Sequence, residues 1–267
     1  MDTARIAALL QPFLEPSLPE SLLDQISTYI DLLLRWNARI NLTAIRHPEE
    51  IVTRHFGESF FLARNLFPTS ASSVARTLLS ANADSAQLPA TSQLSNACHP
   101  ERSQAKSQAI GSAKSKACPE LAGDPYPSTA PRVLDIGSGA GFPALPLKLW
   151  APHIHLTLIE SNHKKAAFLR EVARALTLTN INVMTDRAEV VSARLGPNAD
   201  LVTLRAVERF ETILPQAVTF LAQDATLALL ISAAQLPHLN TQTTMKWHPP
   251  IPVPQSHTRV LSIGIRR

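Results

Sequence analysis

The chain has 267 residues, of which 45% are hydrophobic and 17% charged, with a formal net charge of +4 and a pI near 9.3. That length suits one generous domain or two small ones. With two cysteines and no apolar run approaching the ~20 residues that span a bilayer, a disulfide scaffold and a membrane-spanning helix are both excluded. The basic surplus is uneven: residues 131–267 carry 14 basic and 9 acidic groups, residues 1–69 carry 6 and 8. A basic C-terminal half suits a polyanionic partner. At the N-terminus, Asp2 occupies what a signal peptide would need as a positive region, and the apolar stretch breaks at Gln11-Pro12. A cytoplasmic location is therefore expected.

From residue 21 to 37, Leu22, Leu23, Ile26, Tyr29, Ile30, Leu33 and Leu34 recur at helical spacing, and Ser17-Leu18-Pro19-Glu20 ahead of them has the spacing of a capping box. Arg35-Trp36-Asn37-Ala38-Arg39-Ile40-Asn41-Leu42-Thr43 then mixes an aromatic, two arginines and several amide or hydroxyl groups. His47-Pro48-Glu49-Glu50 reads as another helix start, leading into Arg54-His55-Phe56-Gly57-Glu58-Ser59. On spacing alone, Arg35 and Arg39 are a solvated helix face and His55 is a satisfied structural histidine.

Ser, Ala, Gln, Asn and Pro dominate residues 69–130, and no hydrophobic period persists there. Such a tract reads as a low-complexity, unstructured insertion. It divides the chain into an N-terminal helical extension (1–68), the insertion (69–130) and a third part (131–267). Cys98-His99 and the distant Cys118 are too scattered for zinc, so no metal site is expected.

After Arg132, strands and helices alternate, which predicts βαβ units and a largely parallel sheet. Strands read over 133–136, 155–160, 181–184, 199–204 and 226–231, with an alternating run over 259–265 closing a Pro-rich tail. Helices read from 142 to about 150 and over 162–178, the second turning Phe168, Leu169, Val172 and Leu176 inward.

The stretch Val133-Leu134-Asp135-Ile136-Gly137-Ser138-Gly139-Ala140-Gly141-Phe142 passes from an apolar strand through three glycines into a helix. Glycines let backbone approach a ligand closely, and a helix N-terminus offers free N–H groups. The spacing is G-x-G-x-G, not the G-x-G-x-x-G of dinucleotide binders, because position 142 is Phe. Asp135 at the strand tip would repel a pyrophosphate but attract the sulfonium and amino group of S-adenosylmethionine. Both details disfavour a nicotinamide-dependent oxidoreductase and favour a methyl-donor site. Glu160, 23 positions after Gly137, is placed to accept hydrogen bonds from ribose hydroxyls. Asp186-Arg187-Ala188-Glu189 forms a polar turn at the same edge where adenine could be read. Arg205 ends the fourth strand, where it either steadies a base or RNA backbone or holds a helix cap.

These blocks together resemble the bacterial methyltransferase family that makes N7-methylguanosine in small-subunit (16S) ribosomal RNA, also called glucose-inhibited division protein B. The resemblance rests on Leu34-Arg35-Trp36-Asn37 through Asn41-Leu42-Thr43, Arg54-His55 with Glu58-Ser59, and the glycine loop with Phe142-Pro143. Lys164-Lys165, Phe168-Leu169-Arg170, Arg187-Ala188-Glu189 and Arg205-Ala206 extend it. It covers roughly 20–68 and 131–230. It implies an α/β fold: a Rossmann-like class I S-adenosylmethionine-dependent methyltransferase domain with an N-terminal helical extension packed on it. The resemblance implies donor contacts at Gly137, Phe142, Ala188, Glu189 and Arg205, and the reading of the loop and strand ends adds Asp135, Gly139, Gly141 and Glu160 to the expected donor set. Arg35, Arg39, His55 and Arg259 would face RNA. The implied partner is ribosomal RNA or the small ribosomal subunit, engaged by a cytoplasmic monomer.

Three departures stand out: Glu58 where the family usually has Asp, Leu230-Ile231-Ser232-Ala233 where it usually has Leu-Lys-Gly, and the insertion. The absent lysine keeps open a non-catalytic RNA-binding or assembly factor that retained the fold. The expected chemistry needs little help. Guanine N7 bears a free lone pair, so no general base is required and Arg205 is the one candidate for positioning. The Asp/Asn-Pro-Pro-aromatic motif of exocyclic-amine methylation is replaced by Leu204-Arg205-Ala206-Val207, and both cysteines lie in the insertion, far in sequence from any C5-directed nucleophile position.

Overall fold

A computed structural model describes residues 1–15, 17–68, 130–205 and 209–267. The insertion expected over 69–130 lies outside them except for Ala130, as do Ala206 and Val207. Among the described residues the core is a sheet of eight strands: β1 (Arg132–Ile136), β2 (His155–Ile159), β3 (Ile181–Met184), β4 (Ala199–Arg205), β5 (Leu221–Ser232), β6 (Met245–Trp247), β7 (Ile251–Pro252) and β8 (Arg259–Arg266). The order is β3-β2-β1-β4-β5-β8-β6, with β7 also pairing to β8. Strands β1 to β5 run parallel, and β8 enters antiparallel beside β5.

Side chains alternate across the sheet, as strand geometry requires. Val133, Leu156, Leu158, Leu201 and Leu230 join one buried cluster, while Leu134, Ile136, Val202 and Leu204 join the other. The first face is covered by the helical N-terminal segment: α1 (Thr3–Leu10), α2 (Glu20–Asn37), α3 (Pro48–Ile51), a π-helical turn over Val52–Gly57 and α4 (Glu58–Leu66). Also on this face are α5 (Ala144–Trp150) and α6 (His163–Ala175), while α7 (Ala188–Leu195) and α8 (Phe210–Thr219) cover the other.

Several boundaries differ from the sequence reading. Helix α2 starts at Glu20 with Pro19 as its cap and no side-chain bond, so the Ser17 capping box does not form. Glu20 is already the first helical residue, which puts Ser17 too far out to cap. Helix α5 begins at Ala144 rather than 142, because Phe142 and Pro143 still belong to the loop. Strand β5 starts at Leu221, five residues early, and β6 and β7 were not anticipated.

Candidate functional site

Strand β1 has β2 on one side and β4 on the other, so the strand order reverses between β1 and β4. In parallel sheets that reversal opens a crevice at the carboxyl ends of the strands. The glycine loop lies there. Gly137 N and Ser138 N both donate to Ile159 O, at 2.9 and 3.1 Å, which folds the loop over the tip of β2. Gly137 (φ +69°) and Gly141 (φ +86°) take left-handed backbone conformations for different reasons. A methyl at Gly137 would meet no atom within 4 Å, so that side of the loop is open; a methyl at Gly141 would collide with the Tyr29 hydroxyl and lie 2.6 Å from Leu145 Cδ1.

Two acids frame the crevice. Asp135 is 1% exposed, and its Oδ1 accepts a 2.6 Å bond from Thr203 Oγ1 on β4. Its Oδ2 is buried and has no hydrogen-bond partner among the described residues. Burial raises the carboxyl pKa to about 7 against the lowering effect of Thr203 and Ser138, and the nearby Glu160 charge adds to the rise. Glu160 is bonded on both oxygens: Oε2 accepts from Gly139 N at 2.9 Å and Oε1 from Asn162 N at 2.8 Å. It thereby ties the glycine loop to the start of α6. Ala188 and Glu189 open α7 just past β3, the first buried and the second exposed.

The helical segment reaches the same loop. Tyr29 Oη donates to Ala140 O at 2.5 Å. The Phe142 ring lies between Tyr29 (centroids 5.3 Å, planes 5° apart) and His55 (4.7 Å, 19°), with Phe56 edge-on at 5.0 Å. The ring of Phe142, a residue expected in the donor set, thus packs against the helical segment. His55, named both as a structural histidine and as a residue facing RNA, sits in this stack. It is buried, and its Nε2 is 2.8 Å from Thr43 Oγ1. Burial, with the charges of Arg205, Arg54 and Arg259, lowers its pKa to about 2, so the ring is neutral and carries no charge to offer a phosphate.

Arg205 and Arg259, far apart in sequence, converge on one carboxylate. Arg205 Nη2 and Nε donate to Glu58 Oε2 at 3.0 and 3.2 Å, and Arg259 Nε lies 3.3 Å from the same oxygen. Arg205 Nη2 also donates to Arg54 O at 2.6 Å, and Arg259 Nη2 to Leu230 O at 3.1 Å. Glu58 is buried at the base of α4, so β4, β8 and the helical segment meet at a single acid. Burial lowers the Arg205 pKa, with Glu58 opposing the shift. Arg35 and Arg39 are exposed at the far end of α2, and no hydrogen bond or ion pair among the described residues links them to this cluster.

Sequence reasoning did not single out Tyr29, Thr43 or Thr203. Tyr29 carried a signal, since a phenol inside an apolar helical stripe needs a partner for its hydroxyl. Among the described residues no group of three or more His, Cys, Asp or Glu could hold a metal ion, and no helix is long and apolar enough to cross a membrane.

The family model described as rRNA small subunit methyltransferase G matches residues 22–74 and 122–248. The ribosomal RNA small subunit methyltransferase G of Roseiflexus castenholzii is 33% identical over 193 residues, 72% of this chain and 57% of that protein. Its counterpart in Xylella fastidiosa strain 9a5c is 30% identical over 205 residues, 77% of this chain and 66% of that protein. The Bacillus subtilis protein of the same name is 27% identical over 230 residues, 84% of this chain and 70% of that one. The matched region thus spans under three fifths of the Roseiflexus relative's length.

Proposed function

The chain belongs to the rRNA small subunit methyltransferase G family, and from that premise we propose that it transfers a methyl group from S-adenosylmethionine to N7 of a guanosine in small-subunit ribosomal RNA. The observation that carries this reading is Asp135: a buried carboxylate whose Oδ2 has no hydrogen-bond partner among the described residues, beside a glycine loop with an open face. A ligand bearing a positive group at that point would satisfy the oxygen. The residues present fit such a donor, with Asp135 toward its ammonium, the main chain of Gly137, Gly139, Gly141 and Phe142 along its length, Glu160 toward the ribose, and Ala188 and Glu189 toward the adenine. S-adenosylmethionine, when bound, supplies an electrophilic methyl on a sulfonium sulfur.

The protein's share is positioning and exclusion of water, since a base nitrogen with a free lone pair has no proton to lose. Arg205 is suited to hold the target base because Glu58 and Arg54 O already fix its guanidinium, so little side-chain freedom remains to be lost. Arg35, Arg39 and Arg259 serve the RNA as cations. The organisation that goes with this reading is a helical extension over 1–68, an insertion over 69–130 and a catalytic part over 131–267, in a cytoplasmic monomer.

The test is methylation of small-subunit ribosomal RNA by the purified chain, followed by nucleoside mass spectrometry. The expected product is N7-methylguanosine at one position, lost in Arg205→Ala. A second reading, an assembly factor that kept the fold, is motivated by Ile231 and Ser232 standing where the family usually places a lysine. It is favoured if the chain binds S-adenosylhomocysteine and RNA yet transfers no methyl group.

A further inference from the structure

We propose that the cleft between the π-helical turn and the turn preceding β8 is a subsite for a backbone phosphate of the RNA, separate from the donor crevice. The cleft has a volume of about 390 Å³ and is lined by Thr53 and Arg54 on one wall, and by Ser256, His257, Thr258 and Arg259 on the other. This assignment rests on the RNA reading given above and goes beyond it by naming where the chain of nucleotides is held.

Three observations support an anion there. The first is charge. Glu58 also lines the cleft, but its carboxylate already faces two guanidiniums, Arg205 and Arg259, so that cluster carries one positive charge more than it neutralises. Arg54 adds another guanidinium at the rim. Its own partner is Glu50, 3.2 Å away in an i,i+4 pair with both side chains about half exposed. Exposed pairs of this kind are weak and screened, so Arg54 is free to turn to a better acceptor.

The second observation is chemistry. Hydroxyl groups from Ser256 and Thr258 stand beside the cations, and hydroxyls with guanidiniums are the usual donors to phosphate oxygens, whereas Thr53 Oγ1 already donates to the carbonyls of Glu49 and Glu50. His257 is exposed, and among the described residues nothing fixes its ring. The turn itself is held in shape: Ser256 N donates to Val253 O at 3.2 Å, Ser256 Oγ accepts from Arg259 N at 3.1 Å, and Val253 N donates to Arg259 O at 3.1 Å. The donors of this wall are therefore presented by a braced turn.

The third is position. Arg205 bonds Glu58, an acid of the cleft, and also Arg54 O, while its strand ends at the crevice beside β1. A nucleotide whose base reached Arg205 would leave a neighbouring phosphate beside Arg54 and Arg259. This favours RNA backbone over a free phosphate metabolite as the occupant.

The experiment has two arms, both on the full chain. In the first, sodium pyrophosphate is titrated into isotopically labelled protein and amide shifts are followed. Shifts concentrated at residues 53–54 and 256–259, lost in His257→Glu, are expected; an absence of shifts there overturns the anion site whatever the protein does with RNA. In the second, affinity for small-subunit ribosomal RNA is measured across salt concentrations for the wild type, Arg54→Gln and His257→Glu, with calorimetry against S-adenosylhomocysteine alongside. Arg54→Gln should weaken RNA binding and lower the slope of log affinity against log salt by roughly 0.7–0.9, the value for one lost phosphate contact. His257→Glu should weaken RNA binding further, and donor affinity should not change in either variant. If both variants bind RNA as the wild type does, the RNA phosphate lies elsewhere and the assignment fails while the RNA reading stands. If the wild type binds no RNA, the RNA reading fails and the backbone assignment falls with it, a result told apart by the pyrophosphate arm.

Discussion

At Asp135 the local chemistry fixes a pH dependence. Its native pKa, raised from 3.8 to about 7, means the folded protein holds that proton more tightly than the unfolded chain does. The associated stability is fully present below pH 3.8, declines as pH rises across the interval, and is gone above about 7. Asp135→Asn should therefore raise the melting temperature at pH 8 and do little at pH 4, because an amide oxygen can still accept from Thr203. A cationic donor group favours the ionised acid, so donor affinity should climb with pH, approaching about tenfold per unit below pH 7 in calorimetry. A flat profile would take Asp135 out of the donor site. Glu58 makes the opposite case. Glu58→Gln leaves Arg205 and Arg259 facing each other without a counter-charge in a buried place, and should cost about 3–5 kcal/mol in chemical denaturation.

Among the elements, the glycine loop carries two positions of different kinds. Gly141→Ala meets both a left-handed backbone and a collision with Tyr29 and Leu145, and should lose about 2–4 kcal/mol of stability. Gly137→Ala meets only the backbone term, about 1–2 kcal/mol, yet fills the open face and should weaken donor binding more than it weakens the fold. Denaturation and calorimetry on both variants separate the two. The contrast also shows what was legible beforehand. The loop, β1, and the acids at 135 and 160 are local patterns: apolar run, glycine spacing, acid at a strand tip. What escaped was long-range. Tyr29 finds Ala140 across 111 positions, and Arg205 finds Glu58 across 147, so neither pairing leaves a trace in spacing. His55 read as structural on spacing and as a residue facing RNA by resemblance, and its burial could not be seen from either. Strand β6 was missed because three residues, Met245–Trp247, are too few to show a period.

For the molecule as a whole, the helical segment and the sheet share one buried cluster, running from Ile6 through Tyr29 and Phe56 to Leu156 and Ile263. Residues 131–267 expressed alone would expose Phe142, Leu145 and Phe168 to water, and should give an insoluble or loosely packed product. The full chain should unfold in one calorimetric transition, with van't Hoff and calorimetric enthalpies in agreement. The bond from Tyr29 to Ala140 has a consequence beyond stability. It joins the helix that bears Arg35, proposed to serve the RNA, to the loop proposed to grip the donor, so an RNA held at α2 would also steady the loop. Linkage makes that influence mutual: whatever factor RNA adds to donor affinity, the donor must add to RNA affinity. Tyr29→Phe keeps the ring stack and removes the bond, so it should leave each affinity measurable while shrinking the factor between them toward one. On the proposed function, methyl donor and ribosomal RNA would then bind independently, where the intact bond would let each favour the other.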